Sequence, residues 1–144
     1  YAAVLGSDCP FFIKNKPCYA TGRGEILEEI GLDLSACRFV VINPGIYINT
    51  GDAFRDIIPG KPATGLREII GLPVKEWKDR LVNDFEASVF RKHPEIAAIK
   101  QTLYDQGALY ASMSGSGSTV FGIFERDQPF HWEFPPHYFV RQLA

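Results

Sequence analysis

The sequence predicts an α+β domain, a largely antiparallel sheet with helices on one face. Three observations predict it: short extended segments early in the chain, helical periodicity in the middle, and two apolar runs flanking a small-residue loop near the end. In order, Pro10–Lys14 is apolar and reads as a strand, with Phe11 and Phe12 as its first buried turn, and Asn15-Lys16-Pro17 turns the chain. Cys18–Thr21 continues extended, Gly22-Arg23-Gly24 turns, and Glu25–Ile30 alternates in part. Cys37–Ile42 has the β-branched, apolar content of a buried strand, and Asn43-Pro44-Gly45 ends it. After a brief extended Ile46-Tyr47-Ile48, Thr50 reads as a helix N-cap, with Asp52 in the first turn and Ala53, Phe54 and Ile57 on one face. Pro59-Gly60-Lys61-Pro62 breaks that segment. Leu66–Ile70 and Val74–Phe85 are predicted helices, and His93–Gln106 is the clearest, with Ile96, Ile99 and Leu103 at helical spacing and Gly107 as a C-cap. Ala108–Met113 and Thr119–Phe124 are strands, Glu125–His137 is irregular, and Tyr138–Leu143 is a final strand.

Composition narrows the function classes. The chain has 144 residues, 46% apolar and 22% charged, as expected for one globular domain, or one domain plus a fragment. A net charge of −2 gives no electrostatic case for nucleic acid or an anionic membrane, and no apolar run has the length of a membrane span. Cys9, Cys18 and Cys37 form no Cys-x-x-Cys pair and read as reduced, mostly buried thiols of a reducing, cytoplasmic compartment. His93, His131 and His137 have no metal-ligand spacing, so no metal site is expected from these side chains.

Four segments carry candidate chemistry. In Leu5-Gly6-Ser7-Asp8-Cys9-Pro10-Phe11-Phe12, one carboxylate stands between flexible and rigid neighbours; Asp8 can be a turn residue, an ion-pair partner or a general base. Ser114-Gly115-Ser116-Gly117-Ser118 offers backbone N–H groups as an anion nest with added hydroxyls, or serves as a plain hairpin turn. It lacks the lysine and the strand-loop-helix context of a Walker loop. Asn83-Asp84-Phe85-Glu86 reads as a solvated helix end with an Asn cap, or as a polar cluster that orders a site. Asn43–Thr50 runs from a strand end to a helix start and can present Thr50 to a ligand, or use it only as a cap.

Together these segments resemble the GHMP kinase superfamily, in order and across nearly the whole chain. The Leu5–Phe12 segment is similar to the one that carries the family's catalytic aspartate, and Ala20–Leu27, with its Gly-Arg-Gly-Glu core, resembles the turn after it. Asn43-Pro44-Gly45 through Thr50 to Phe54 resembles a Pro-Gly segment whose Thr and Phe line the cytidine end of a substrate site. Asn83–Glu86 is similar to the family's Asn-Asp-Leu-Glu, and Ser114–Ser118 resembles the glycine-rich motif beside the ATP phosphates. The resemblance implies a ferredoxin-like C-terminal kinase domain over residues 31–144, preceded by a remnant of the N-terminal domain over residues 1–30. It departs from the family in two respects. The main ATP loop and an N-terminal lysine, expected before Asp8, are absent, so the chain reads as the C-terminal part of a two-domain enzyme, inactive alone and partnered by the N-terminal domain of the same protein. Pro129, Pro135 and Pro136 also exclude the long helix that the family places before its last strand.

The implied activity is transfer of the ATP γ-phosphoryl group to a tertiary hydroxyl of a cytidine diphosphate sugar alcohol in isoprenoid biosynthesis, with Mg²⁺ arriving on ATP. By resemblance Asp8 is the base, with Lys14 or Lys16 as a neighbour that keeps it ionised. Thr50 and Phe54 hold the cytidine end, and Ser114, Gly115, Ser116 and Gly117 lie by the phosphates. Two alternatives stand: a homoserine or mevalonate type of the same superfamily, and a non-catalytic α+β ligand-binding module.

Overall fold

The computed structural model describes residues 9–22, 24–57, 64–131 and 133–143; the Asp8 carboxylate and the Pro59–Pro62 breaker lie outside them. The chain divides into two compact units, Tyr1–Asp33 and Leu34–Ala144.

In the first unit, Cys9–Lys14 is a helix (α1), not the strand its apolar run suggested. Proline fits the first turn of a helix, where no N–H is needed, and Asn15, at φ +47°, ends it with its N–H on the Phe11 carbonyl at 2.8 Å. No residue of α1 is buried, and Phe12 is 74% exposed, so the aromatic pair does not open a buried strand. Strands β1 (Cys18–Thr21) and β2 (Ile26–Glu29) form the expected antiparallel hairpin, with Cys18 opposite Glu29. Lys16 and Lys14 lie 3.2 and 3.5 Å from the Glu29 carboxylate; Lys16 foremost holds that carboxyl below its ordinary range. Both lysines offered as partners for Asp8 are thus engaged by Glu29.

The second unit is a four-stranded antiparallel sheet of β3 (Cys37–Asn43), β4 (Tyr110–Met113), β5 (Val120–Glu125) and β6 (Phe139–Leu143). Its spatial order is β4-β5-β3-β6, that of a ferredoxin-like sheet. The β3–β4 crossover carries α2 (Thr50–Arg55), α3 (Leu66–Ile70), α4 (Glu86–Lys92) and α5 (Pro94–Asp105). Val40, Ile42, Ala111, Met113, Val120 and Phe124 point to one sheet face, where they pack with Val89 of α4 and with Ile96, Ile99 and Leu103 of α5. Gly122 permits that approach: a Cβ there would lie 2.9 Å from the Phe124 ring and 3.2 Å from Leu103. Between β5 and β6 the described residues hold no helix. Phe124, Phe130, Phe134 and Tyr138 instead form a ladder of rings 5.4 to 6.4 Å apart, which fills the layer that the three prolines deny to a helix.

Two helix readings are corrected. Val74–Phe85 is not a helix: a 3₁₀ turn covers Val74–Glu76, Asp79 takes φ +64°, and the helix begins at Glu86. Trp77 decides the break, because its indole N–H donates to the Leu72 carbonyl at 2.9 Å and its ring packs edge-on against Tyr110. Asn83–Glu86 therefore leads into a helix rather than closing one. The N-cap of α2 is Asn49, whose side chain accepts the Asp52 N–H at 3.1 Å, and Thr50 becomes the first helical residue. The three cysteines are free thiols and half-buried, rather than buried as expected.

Tyr110 lies on the sheet face opposite Ala111, and its hydroxyl donates to the Leu81 carbonyl at 2.8 Å. Burial pushes this phenol up to about 12 from 10.0, opposed in part by a hydrogen bond with Ser112. The folded state thus binds the phenolic proton more tightly than the unfolded chain, and this stability is complete below pH 10 and lost as pH rises towards 12. Tyr110→Phe is expected to flatten the alkaline fall by ~1 kcal/mol, read from urea midpoints at about pH 9 and about pH 11. A variant that keeps the full slope excludes Tyr110 as its source.

Candidate functional site

The Ser114–Ser118 loop closes the β4–β5 hairpin and is tied down on both sides. On the exit side, the Thr119 hydroxyl accepts from the Asn43 amide at 2.9 Å, and the Ser118 hydroxyl donates to the Ile46 carbonyl at 2.6 Å. Asn43 also accepts the Gly45 N–H at 2.7 Å, so the Pro-Gly turn and the loop share one asparagine. Within the loop, Ser114 N–H donates to Thr119 O at 2.8 Å and Gly117 N–H to Ser114 O at 3.0 Å. Gly117 is thereby used internally, while the N–H groups of Gly115 and Ser116 have no intramolecular partner among the described residues. Gly115 sits at φ +55°, and a Cβ added there would meet nothing within 4 Å, so the tip is open. Two unpaired N–H groups and the Ser116 hydroxyl at an open tip suit phosphate oxygens.

Two sequence-predicted segments meet here. Thr50 Oγ1 lies 3.1 Å from Ser116 Oγ across 66 residues of chain, a contact that becomes possible because Asn49 takes over the capping role. Thr50 and Phe54, four residues apart, share a face of α2. Phe54 is 62% exposed and rests edge-on against Phe85, with ring centroids 4.9 Å apart. The ring is therefore held on one edge with a face free for an aromatic base. Asn49, Asp52 and Ala53 turn instead to a cleft of about 210 Å³ beside Ser88, Lys92 and His93.

Within Asn83–Glu86, Asp84 is exposed, whereas Asn83 and Glu86 turn to the loop. Asn83 donates to Met113 O at 2.7 Å and Gly115 O at 2.8 Å, while Glu86, 6% exposed, accepts Met113 N–H at 2.8 Å and the Ser112 hydroxyl at 3.1 Å. Lys100 completes the cluster, 2.6 Å from the second carboxylate oxygen. Sequence reasoning missed Lys100, although a signal was present: it stands four residues after Ile96 and three before Leu103, on the core face of an amphipathic helix, where a lysine needs a partner. Asp8 lies outside the described residues. Among those described, no three His, Cys, Asp or Glu side chains are grouped to hold a metal, and no helix is long and apolar enough to cross a membrane.

Strand order, a glycine-serine hairpin loop at the sheet end and an Asn/Glu segment bracing it define a ferredoxin-like domain with a loop suited to anions. Residues 73–130 match the family described as GHMP kinases C terminal. The chain is 52% identical over 129 residues to a Parabacteroides distasonis protein named 4-diphosphocytidyl-2-C-methyl-D-erythritol kinase, covering 90% of this chain and 48% of that one. A Bacteroides fragilis protein of the same name is 51% identical over 128 residues, covering 89% of this chain and 47% of the relative. A solved structure of 4-(cytidine 5'-diphospho)-2C-methyl-D-erythritol kinase superposes with a TM-score of 0.67 at 30% identity, covering 83% of this chain and 45% of that one. The chain spans about half the length of the curated relatives it matches.

Proposed function

We propose that this chain is the C-terminal part of an ATP-dependent kinase that phosphorylates the 2-hydroxyl of 4-diphosphocytidyl-2-C-methyl-D-erythritol, a cytoplasmic step of isoprenoid biosynthesis. The contact between Thr50 and Ser116 carries the reading, because it joins the segment assigned to the acceptor's cytidine end to the loop assigned to the phosphates. The name shared by relatives at 51 to 52% identity supports the same substrate. Residues 1–30 belong, in this reading, to an N-terminal kinase domain and residues 31–144 to the C-terminal one.

ATP, with its Mg²⁺, supplies the phosphoryl group and the charge that the site must accommodate. Such transfers depend on positioning and charge stabilisation more than on covalent chemistry. Gly115 and Ser116 donate their free N–H groups, and Ser116 its hydroxyl, to phosphate oxygens, while Ser114 and Gly117 shape the turn. Phe54 stacks its free face on the cytosine, and Thr50 fixes the distance between that end and the loop. Asp8 orients the acceptor hydroxyl and takes its proton late, since a tertiary alcohol is a weak acid.

The test is product analysis by phosphorus NMR of the full-length protein with ATP, Mg²⁺ and a panel of the cytidine substrate, homoserine and mevalonate. The 2-phosphate of the cytidine substrate is the expected product, and turnover confined to another acceptor overturns the assignment. Phe54→Ala is expected to raise KM for the cytidine substrate about tenfold with KM for ATP unchanged, as loss of one stacked ring implies. The 144-residue chain alone is expected to transfer no phosphoryl group.

A further inference from the structure

We propose that Asn83, Glu86 and Lys100 are positioning residues that aim the free N–H of Ser116 at the bound phosphate; this rests on reading Ser114–Ser118 as the phosphate-facing loop. The starting point is a carboxylate that should not be buried without a purpose. Glu86 is removed from water, which is costly unless both oxygens are hydrogen-bonded and the charge is balanced. Both conditions hold: one oxygen takes Met113 N–H and the Ser112 hydroxyl, and the other takes the Lys100 ammonium. One of these bonds fixes Met113, the residue immediately before the loop.

Asn83 acts on the same residue from its other side. Its amide donates to the Met113 carbonyl, so Met113 is gripped at both N–H and C=O by one four-residue segment. The second amide hydrogen goes to the Gly115 carbonyl. The amide orientation is fixed independently, because Asn83 Oδ1 accepts the Phe85 N–H at 3.0 Å. In a trans peptide the C=O of one residue and the N–H of the next point in opposite directions. Drawing the Gly115 carbonyl inward to Asn83 therefore turns the Ser116 N–H outward, to the open tip. The same rule at Met113 turns the Ser114 N–H towards Thr119, where it is bonded. The direction of the donor is thus set by an asparagine that touches no ligand, supported by an ion pair one helical turn along.

The decisive variant is Asn83→Asp in the full-length protein. It keeps the size of the side chain and the acceptor for Phe85 N–H, but sets a carboxylate oxygen against two carbonyls. KM for ATP is expected to rise about tenfold or more, with KM for the acceptor changed less than about threefold and faster amide exchange at Ser114 and Gly117, whose N–H groups are bonded within the loop. Lys100→Met is expected to do the same by leaving Glu86 without its counter-charge. Glu86→Gln combined with Lys100→Met is expected to bring KM for ATP back towards wild type, since the amide oxygen still accepts Met113 N–H and no charge is left unpaired. A purely structural cluster gives a different result: a lower melting temperature with both KM values at wild type, and this outcome overturns the proposal, as does an equal rise in both. Should the unmutated protein transfer no phosphoryl group, the kinase reading fails on its own, and amide exchange still decides the clamp: unchanged protection across Ser114–Ser118 in Asn83→Asp refutes it.

Discussion

Replacing Asp8 by Ala in the full-length protein is expected to lower turnover on the order of 10²–10⁴-fold while ATP affinity stays within about threefold of wild type. The magnitude follows from the role. A positioned base contributes at the transition state, where charge gathers on the attacking oxygen, and little to the ground-state complex, so its loss falls on kcat. Asp8→Asn separates the two parts of that role. An amide can still orient the acceptor hydroxyl but cannot take its proton, so a loss as deep as that of Asp8→Ala assigns the effect to proton acceptance. A loss of only about tenfold assigns most of it to orientation. The Lys14 and Lys16 side chains pair with Glu29, so their removal is expected to leave turnover of the Asp8-containing enzyme near wild type. Near-normal turnover in Asp8→Ala removes that residue from the mechanism.

How far the sequence carried depended on whether the deciding contact was local. The strand read over Cys37–Ile42 and the helix read over His93–Gln106 were legible because the β-branched, apolar run of the one and the helical spacing of the other are local signals. The prolines of 129, 135 and 136 forbade a helix whatever surrounded them. Val74–Phe85 misled because its apolar spacing fits a helix, whereas Trp77 gains more by reaching Leu72 O and the Tyr110 ring, contacts made across 5 and 33 residues of chain. Pro10–Lys14 misled for the opposite reason: its aromatics suggested burial, and in this unit they stay in the open. At the candidate site, residue types were legible and pairings were not. Thr50 and Ser116 each had a bland local use, and only the fold brings the two hydroxyls to 3.1 Å. Glu86 and Lys100, 14 residues apart, give no periodic signal of a pair, because the helix break at His93 lies between them.

Of the two loop glycines, only one is expected to be irreplaceable. Gly117→Ala should destabilise the domain by ~2–4 kcal/mol, and Gly115→Ala by ~1 kcal/mol or less. Both have positive φ, but Gly115, at +55°, occupies the left-handed well that L residues can enter, and a Cβ there meets nothing within 4 Å. Gly117, at +97°, lies outside that well, and its Cβ would stand 2.8 Å from Met113 Sδ and 3.4 Å from Ile48. A thioether usually yields, yet Met113 is 2% exposed and packed in the core, with its backbone held by Glu86 and Asn83, so neither partner is free to move. At roughly 3–5 °C per kcal/mol for a domain of this size, the Gly117 variant should melt on the order of 10 °C below wild type and the Gly115 variant within about 5 °C of it. Equal melting temperatures would mean that Met113 does not support the loop. The same comparison separates stability from chemistry: Gly115→Ala, well folded, should still bind ATP more weakly, because its methyl group occupies the open tip where the free N–H groups of Gly115 and Ser116 meet the phosphate.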